Sequence, residues 1–423
     1  MQTTITYPLP SAFLPTVQLT EEEAGAHRDA AREIVVRTLE QELEFRRDHK
    51  GRLDDRKWKF VKGRDGLRVF KRVANENTAI PMVVAVGHLE GTIEDTVYGV
   101  HHKTTEEMRL TTAFLNKHHV DSAVLATIDS GTAEDPFRFL GVKWRMTETP
   151  GWSLIRNRDA CVLEYVGIGV DSFGEKYGFH MMKSVDVAWF PELPDPNLIR
   201  ARLMMCCIHR QESPQVVATY MKGVFDLGGE MMDLLAYQKA ADTVLGIARS
   251  IDCAEAKRLT LRILQTQQHS SLGGERMSSS LCRARRSTAG FRRSRMQSSS
   301  AELGAWKQDD SRSMSVVSSS HSSDSNEGMS DTKRPTAPAA QGDKNVCAVC
   351  ERSRGVLAKL GASWDVCLIC RQHVCGKCHV NKLVFARPRN VRVPCCKACI
   401  LEAKLMPVDP RDPYPILPDG IHV

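Results

Sequence analysis

Eight cysteines between residues 347 and 399 fall into four Cys-x2-Cys pairs: Cys347/Cys350, Cys367/Cys370, Cys375/Cys378 and Cys396/Cys399. Two thiolates at that spacing can turn onto one cation, so each pair supplies half of a tetrahedral all-sulfur site. Four pairs make two sites, and the spacing points to two Zn2+ ions. Their role is structural, because eight sulfurs leave no open coordination position for chemistry. Cys395 adjoins Cys396, and spacing leaves open which of the two ligates. Disulfides are the competing use of such pairs. The N-terminus has neither a charged n-region nor an apolar h-region, and no run of 18 apolar residues exists, so neither secretion nor a membrane span is expected. Reduced thiols in a cytoplasmic protein favour metal.

The second and third pairs are separated only by Arg371-Gln372-His373-Val374. A RING finger would leave one Cys over, and a PHD finger would want His at position 375. The rhythm Cys-x2-Cys-x4-Cys-x2-Cys, flanked on both sides by a further pair and containing Cys375-Gly376-Lys377-Cys378, resembles the FYVE finger. The resemblance implies interleaved ligation: Cys347, Cys350, Cys375 and Cys378 on the first zinc, Cys367, Cys370, Cys396 and Cys399 on the second. Spacing alone also permits sequential pairing. FYVE fingers that read phosphatidylinositol 3-phosphate carry a basic run around the third Cys. Here the run is Trp364-Asp365-Val366-Cys367-Leu368, with no cation. The family's membrane-dipping position corresponds to the long loop carrying Leu357 and Leu360, and diffuse basic contacts fall to Arg387, Arg389 and Arg392.

Ahead of the finger, residues 258–343 are rich in Ser and poor in apolar residues, which predicts a disordered linker. Its Arg block (Arg276, Arg283, Arg285, Arg286, Arg292, Arg293, Arg295) is interleaved with Ser, as in a tether or a phosphorylation-switched patch for anionic lipid. Nuclear import is a weaker reading. The Pro-rich stretch 405–423 reads as an extended tail, and 1–17 as a loose leader.

Residues 18–257 carry most of the apolar periodicity. Thr20 and Glu23 form a capping box opening a helix over 21–49, and Thr92 with Asp95 forms another. Strands are expected at 67–73, 81–89, 124–128, 137–146, 160–169, 176–187, 199–209 and 215–222, then one amphipathic helix over 230–250. That order suggests an α+β fold, a curved antiparallel sheet gripping a helix. Val86–Val97, Arg158-Asp159-Ala160-Cys161, Ser184-Val185-Asp186 and Val216–Gly223 resemble runs of the START lipid-transfer domain. The resemblance implies an apolar tunnel under the C-terminal helix, sized for one lipid. Arg158-Asp159 itself reads as a framework ion pair, and His101-His102 as a basic end to the short helix.

The expected architecture is a helix-grip START-like domain (18–257), a disordered linker (258–343), a small two-zinc cross-brace FYVE-like finger (344–404) and a tail. The expected function is a zinc- and lipid-binding peripheral membrane adaptor in membrane trafficking, on endosomal or other internal membranes. Its partners would be a lipid in the cavity and an anionic membrane surface. The alternative is a protein-interaction adaptor whose finger binds a small GTPase. Neither nucleic-acid binding nor enzymatic activity is expected.

Overall fold

The computed structural model describes residues 5–15, 17–73, 81–149, 155–229, 231–271, 344–353 and 364–419. Its centre is an antiparallel sheet. Strands β1 (Trp58–Arg64), β2 (Leu67–Arg72), β3 (Met82–Glu90), β4 (His119–Asp129), β5 (Phe139–Thr147), β6 (Asn157–Val170), β7 (Lys176–Ser184), β9 (Arg202–Ser213) and β10 (Val216–Asp226) lie in the order β1-β2-β3-β10-β9-β7-β6-β5-β4. A short β8 (Leu198–Arg200) runs parallel to β6. Helices α2 (Ile93–Val100) and α3 (Thr105–Leu115) connect β3 to β4. Both expected capping boxes form, at Thr20/Glu23 and Thr92/Asp95. Strand β1 and helix α3 escape the sequence reading. Lys59, Lys62 and Arg64 mask the alternation of β1, an edge strand whose charges discourage further pairing.

Period-two alternation sorts the sheet's side chains onto two faces. On the outer face, Leu163, Tyr165, Phe179, Met181, Cys206 and Ile208 pack against Ala31, Ile34 and Val35 of α1 (Glu21–Arg47). On the inner face, Leu67, Val69, Val83, Ala85, Met205 and Met221 receive Ala240, Ala241, Val244 and Leu245 of α4 (Asp233–Leu245). Those four α4 side chains are 0% exposed, so the space between this helix and the sheet is filled rather than open as a tunnel. Each large apolar group buried this way contributes roughly 1.5–3 kcal/mol.

The single helix expected over 230–250 is two. α4 tightens at Gly246, whose N–H is shared between Asp242 O and Thr243 O, into a 3-10 turn at Ile247–Arg249. α5 (Ser250–Ser271) then continues, so residues 258–271 are helix where a linker was expected. The rest of the expected linker, with its Arg block, lies outside the described residues. α2 crosses α5 so closely that a Cβ on Gly99 would sit 1.8 Å from Ser250 O, and only glycine fits.

The finger is built from two hairpins, β11 (Trp364–Val366) with β12 (His373–Cys375) and β13 (His379–Val384) with β14 (Val391–Cys396), followed by α6 (Lys397–Lys404). It is not tethered at a distance. Leu259 and Ile263 of α5 share one core with Val374, Val384, Val393, Ile400 and the ligand thiols. Phe385 stacks on Phe114 of α3 at 5.7 Å. The expected extended tail is a packed strap: Leu417 donates to Phe385 O, Tyr414 meets Phe385 edge-on at 5.5 Å, and the Tyr414 hydroxyl lies 2.6 Å from Thr111 Oγ1.

Candidate metal centres and an interior polar cluster

The eight thiols gather as two sets of four, Cys347/Cys350/Cys375/Cys378 and Cys367/Cys370/Cys396/Cys399, with all sulfurs of a set within 4.8 Å of one another. Pairs one and three share a site, as do pairs two and four, so the pairing is interleaved. Cys350 and Cys375 Sγ lie 3.7 Å apart, and Cys370 and Cys396 Sγ 3.9 Å. A tetrahedron with metal–sulfur bonds of about 2.3 Å has edges of about 3.8 Å, so the thiols fit a zinc-sized ion.

The two knuckles are built alike. Glu351 and Arg371, each following a Cys-x2-Cys pair, take φ of 59° and 58°. Their N–H groups return to Cys347 O and Cys367 O, both at 2.9 Å. The ends of β12 and β14 aim backbone donors at the knuckle sulfurs: Cys375 N–H to Cys347 Sγ at 3.4 Å, and Cys396 N–H to Cys367 Sγ at 3.2 Å. Such donors favour thiolate, the ligating form. Burial pushes the Cys347 thiol up, but the N–H groups of Cys375, Cys350 and Val349 outweigh it and bring it to about 6. The choice between Cys395 and Cys396 is decided by strand alternation. Cys396 faces the metal set, whereas Cys395 faces the core, fully buried, its thiol raised to about 12 chiefly by burial.

Of the expected contact residues, Leu357 and Leu360 lie outside the described residues. Arg387 is exposed but engaged: its guanidinium forms a two-point pair with Glu106 of α3, at 2.5 and 3.0 Å. Arg389 and Arg392 remain exposed. Asp365, in the position of the missing cationic run, pairs with His379 at 2.8 Å.

The large domain carries a site that sequence reading missed. Glu164 (β6) lies fully buried on the sheet's inner face, 2.8 Å from Lys143 Nζ (β5) and 2.6 Å from His180 Nε2 (β7). Arg145 approaches to 3.7 Å and His102 to 4.0 Å. Burial alone would raise the Glu164 carboxyl, but the Lys143 ammonium and the His180 hydrogen bond outweigh it and hold it well below the carboxylate range. Burial drives His102 and His101 well below the imidazole range, so they are neutral core groups, not the basic helix end expected. The cation at that helix end is Lys257 of α5, whose Nζ donates to Tyr98 O at 2.7 Å and to His101 O at 2.6 Å. Several polar atoms here have no partner among the described residues: His101 Nε2, His180 Nδ1, Arg145 Nε and Ser122 Oγ. The available signal was Lys143 and Arg145 two apart in β5, and Glu164 alone within the apolar stretch 160–168 of β6.

Arg158 and Asp159 are framework residues but not partners, since neighbours on a strand point to opposite faces. Asp159 takes Trp144 Nε1 at 2.8 Å and Arg200 at 2.9 Å, while Arg158 donates to Leu227 O and Gly228 O.

Two cavities border these elements. One of about 350 Å3 lies between the end of α1 and the outer face of β2, β3 and β10. One of about 180 Å3 lies between α4 and the β5–β6 connection, lined by Met231, Leu235, Lys239 and His118 among others. No described helix is long and apolar enough to cross a membrane.

No family model and no curated protein matches the chain. Among solved structures it is similar to human StAR-related lipid transfer protein 5, at 16% identity and a TM-score of 0.38, covering 54% of this chain and 98% of that one. It is also similar to human STARD10, at 14% identity and a TM-score of 0.35, over 54% and 83%. A third similarity is to a STAR-related lipid transfer protein fragment from Xanthomonas axonopodis, at 16% identity and a TM-score of 0.34, over 46% and 96%.

Proposed function

We propose that the chain is a lipid-binding protein, START-like in its large domain, with a FYVE-related finger holding two structural zinc ions. It binds rather than catalyses, and works peripherally on endosomal or other internal membranes. The observation that carries this reading is the polar cluster around Glu164. Buried polar atoms are nearly always hydrogen-bonded. Unmet donors and acceptors on an otherwise apolar sheet face suit the polar end of a mostly apolar ligand. The 180 Å3 cavity beside α4 is smaller than a lipid, and none of Lys143, Glu164, His180 or His102 lines it, so a lipid reaching the cluster must displace the helix packing over the sheet. Native mass spectrometry of the full chain tests the reading. One co-purified lipid per chain is expected, with occupancy reduced in Glu164→Gln. Failure to carry lipid, together with failure to bind fluorescent lipid, would reject it.

A second reading, a protein partner such as a small GTPase on the finger, is favoured by one feature. Leu401 and Leu405 project from α6, 63% and 79% exposed, while Asp365 stands where a phosphoinositide reader needs cations. Loss of GTPase binding in L401S/L405S, with metal content unchanged, would support it.

A further inference from the structure

The edge hairpin β1–β2 concentrates charge that neither the lipid cavity nor the finger uses. Between Arg52 and Arg72 the chain has nine Lys and Arg against three Asp, a net +6, while the whole chain carries +7. α4 covers the inner face of β1, β2 and β3, where Lys62 meets Asp242 at 2.6 Å and Lys71 lies over Tyr237. α1 packs on β6, β7, β9 and β10 and ends at Arg47. The outer face of β1 and β2 is left as an aromatic and cationic surface. Phe60, 54% exposed, meets Phe70 at 5.8 Å, and the Arg68 guanidinium lies over both rings at 5.3 and 5.2 Å. Beside it opens the 350 Å3 cleft, with Trp58 and Tyr220 on its walls and Arg52, Lys57, Arg72 and Lys222 as its cations. Glu44 and Asp54 are its only acids among the described residues. Lys222 is half-buried, and burial and then Arg72 lower its ammonium pKa. A counter-anion there would relieve both.

We infer that this outer face of β1–β2, with the adjoining cleft, is where the protein docks on an anionic phospholipid bilayer. Phe60 would reach the interface, and the cleft would receive a lipid phosphate. The inference rests on the lipid-binding reading only in its choice of partner. Charge complementarity supplies the attraction, and an exposed aromatic among cations suits the headgroup region. A single-stranded nucleic acid would stack on open ring faces, and Arg68 lies over one face each of Phe60 and Phe70, which reduces the ring surface left to a base.

The test is vesicle pelleting of the full chain with phosphatidylcholine alone and with added phosphatidylserine, at low and physiological salt. Binding should require phosphatidylserine and weaken with salt. R68E/R72E should lose about a hundredfold or more, at roughly fivefold per unit of charge near the surface. Phe60→Ser, which keeps every charge, should lose about tenfold, so the result does not hinge on one variant's folding. R389E/R392E, on the finger, should retain most binding. The inference falls if the wild-type chain ignores anionic vesicles, if R68E/R72E pellets as wild type, or if only R389E/R392E loses binding. It also falls if single-stranded RNA binds through Phe60 while vesicles do not. Co-purified lipid is measured separately, so the interior site and the docking face can fail independently.

Discussion

The finger and the large domain solve the same problem with different means. The finger's small core is organised by two sets of thiols, whereas the large domain buries two apolar layers against one sheet. The two are nonetheless continuous. α5 gives one face to α2 and another to the finger, and Leu259 and Ile263 lie in the finger's core. A module too small to bury enough surface alone leans on a neighbouring helix and carries two thiol sets that could each hold a metal ion. The described residues on either side of 272–343 therefore belong to one body rather than two.

The strongest test of that continuity is metal removal. Structural zinc contributes on the order of 10–16 kcal/mol in small fingers. Chelation, Cys367→Ser or Cys378→Ser should unfold residues 344–404 and also expose the α5 side chains that pack on them. Amide exchange along 250–268 reads this. Unchanged protection in α5 would show that the finger is an independent bead, and fewer than two metal ions per folded chain would remove the zinc assignment.

Phe385→Ala attacks the same seam without touching a ligand. It removes the contacts to Phe114 and Tyr414, at about 3–5 kcal/mol for a buried Phe. Denaturant unfolding should show the loss with both metals retained. In the large domain, Glu164→Ala should destabilise by about 3–5 kcal/mol, because it strands the buried Lys143 ammonium. Replacing both by apolar residues should recover most of that.

Acid should separate the regions more gently. Burial lowers His209 from 6.5 to about 3. Between those values the unfolded chain binds a proton that the folded chain does not, so stability falls as pH drops below 6.5. By pH 5 this one group removes about 2 kcal/mol, and His101 and His102 act in the same direction. Urea midpoints at neutral pH and at pH 5 should converge in His209→Asn relative to wild type. The smallest effect should come from Arg387→Ala. Its pair with Glu106 is about half-exposed, and such pairs are largely screened. A large loss of finger docking would show that this pair, not the apolar seam, holds the finger.

Much was legible beforehand. Four Cys-x2-Cys pairs mark the candidate metal ligands because the pattern is local, and both capping boxes are local too. The strand pattern was readable where one face is apolar, and failed at β1, where edge charges hide it. Arg158-Asp159 shows the limit of adjacency, because alternation sends the two side chains to opposite faces.

By itself the sequence determined which residues can ligate, which half-apolar runs are strands and that an α+β sheet carries them. Tertiary structure alone decided that the pairs interleave, that Cys396 rather than Cys395 faces the candidate metal set, and that Arg387 pairs with Glu106 of α3. It alone brought Lys143, Glu164 and His180 together from three strands, and seated the finger and tail on α3 and α5. These outcomes depend on which distant segments share a face and how closely they approach, and a one-dimensional pattern carries only the local part of that information.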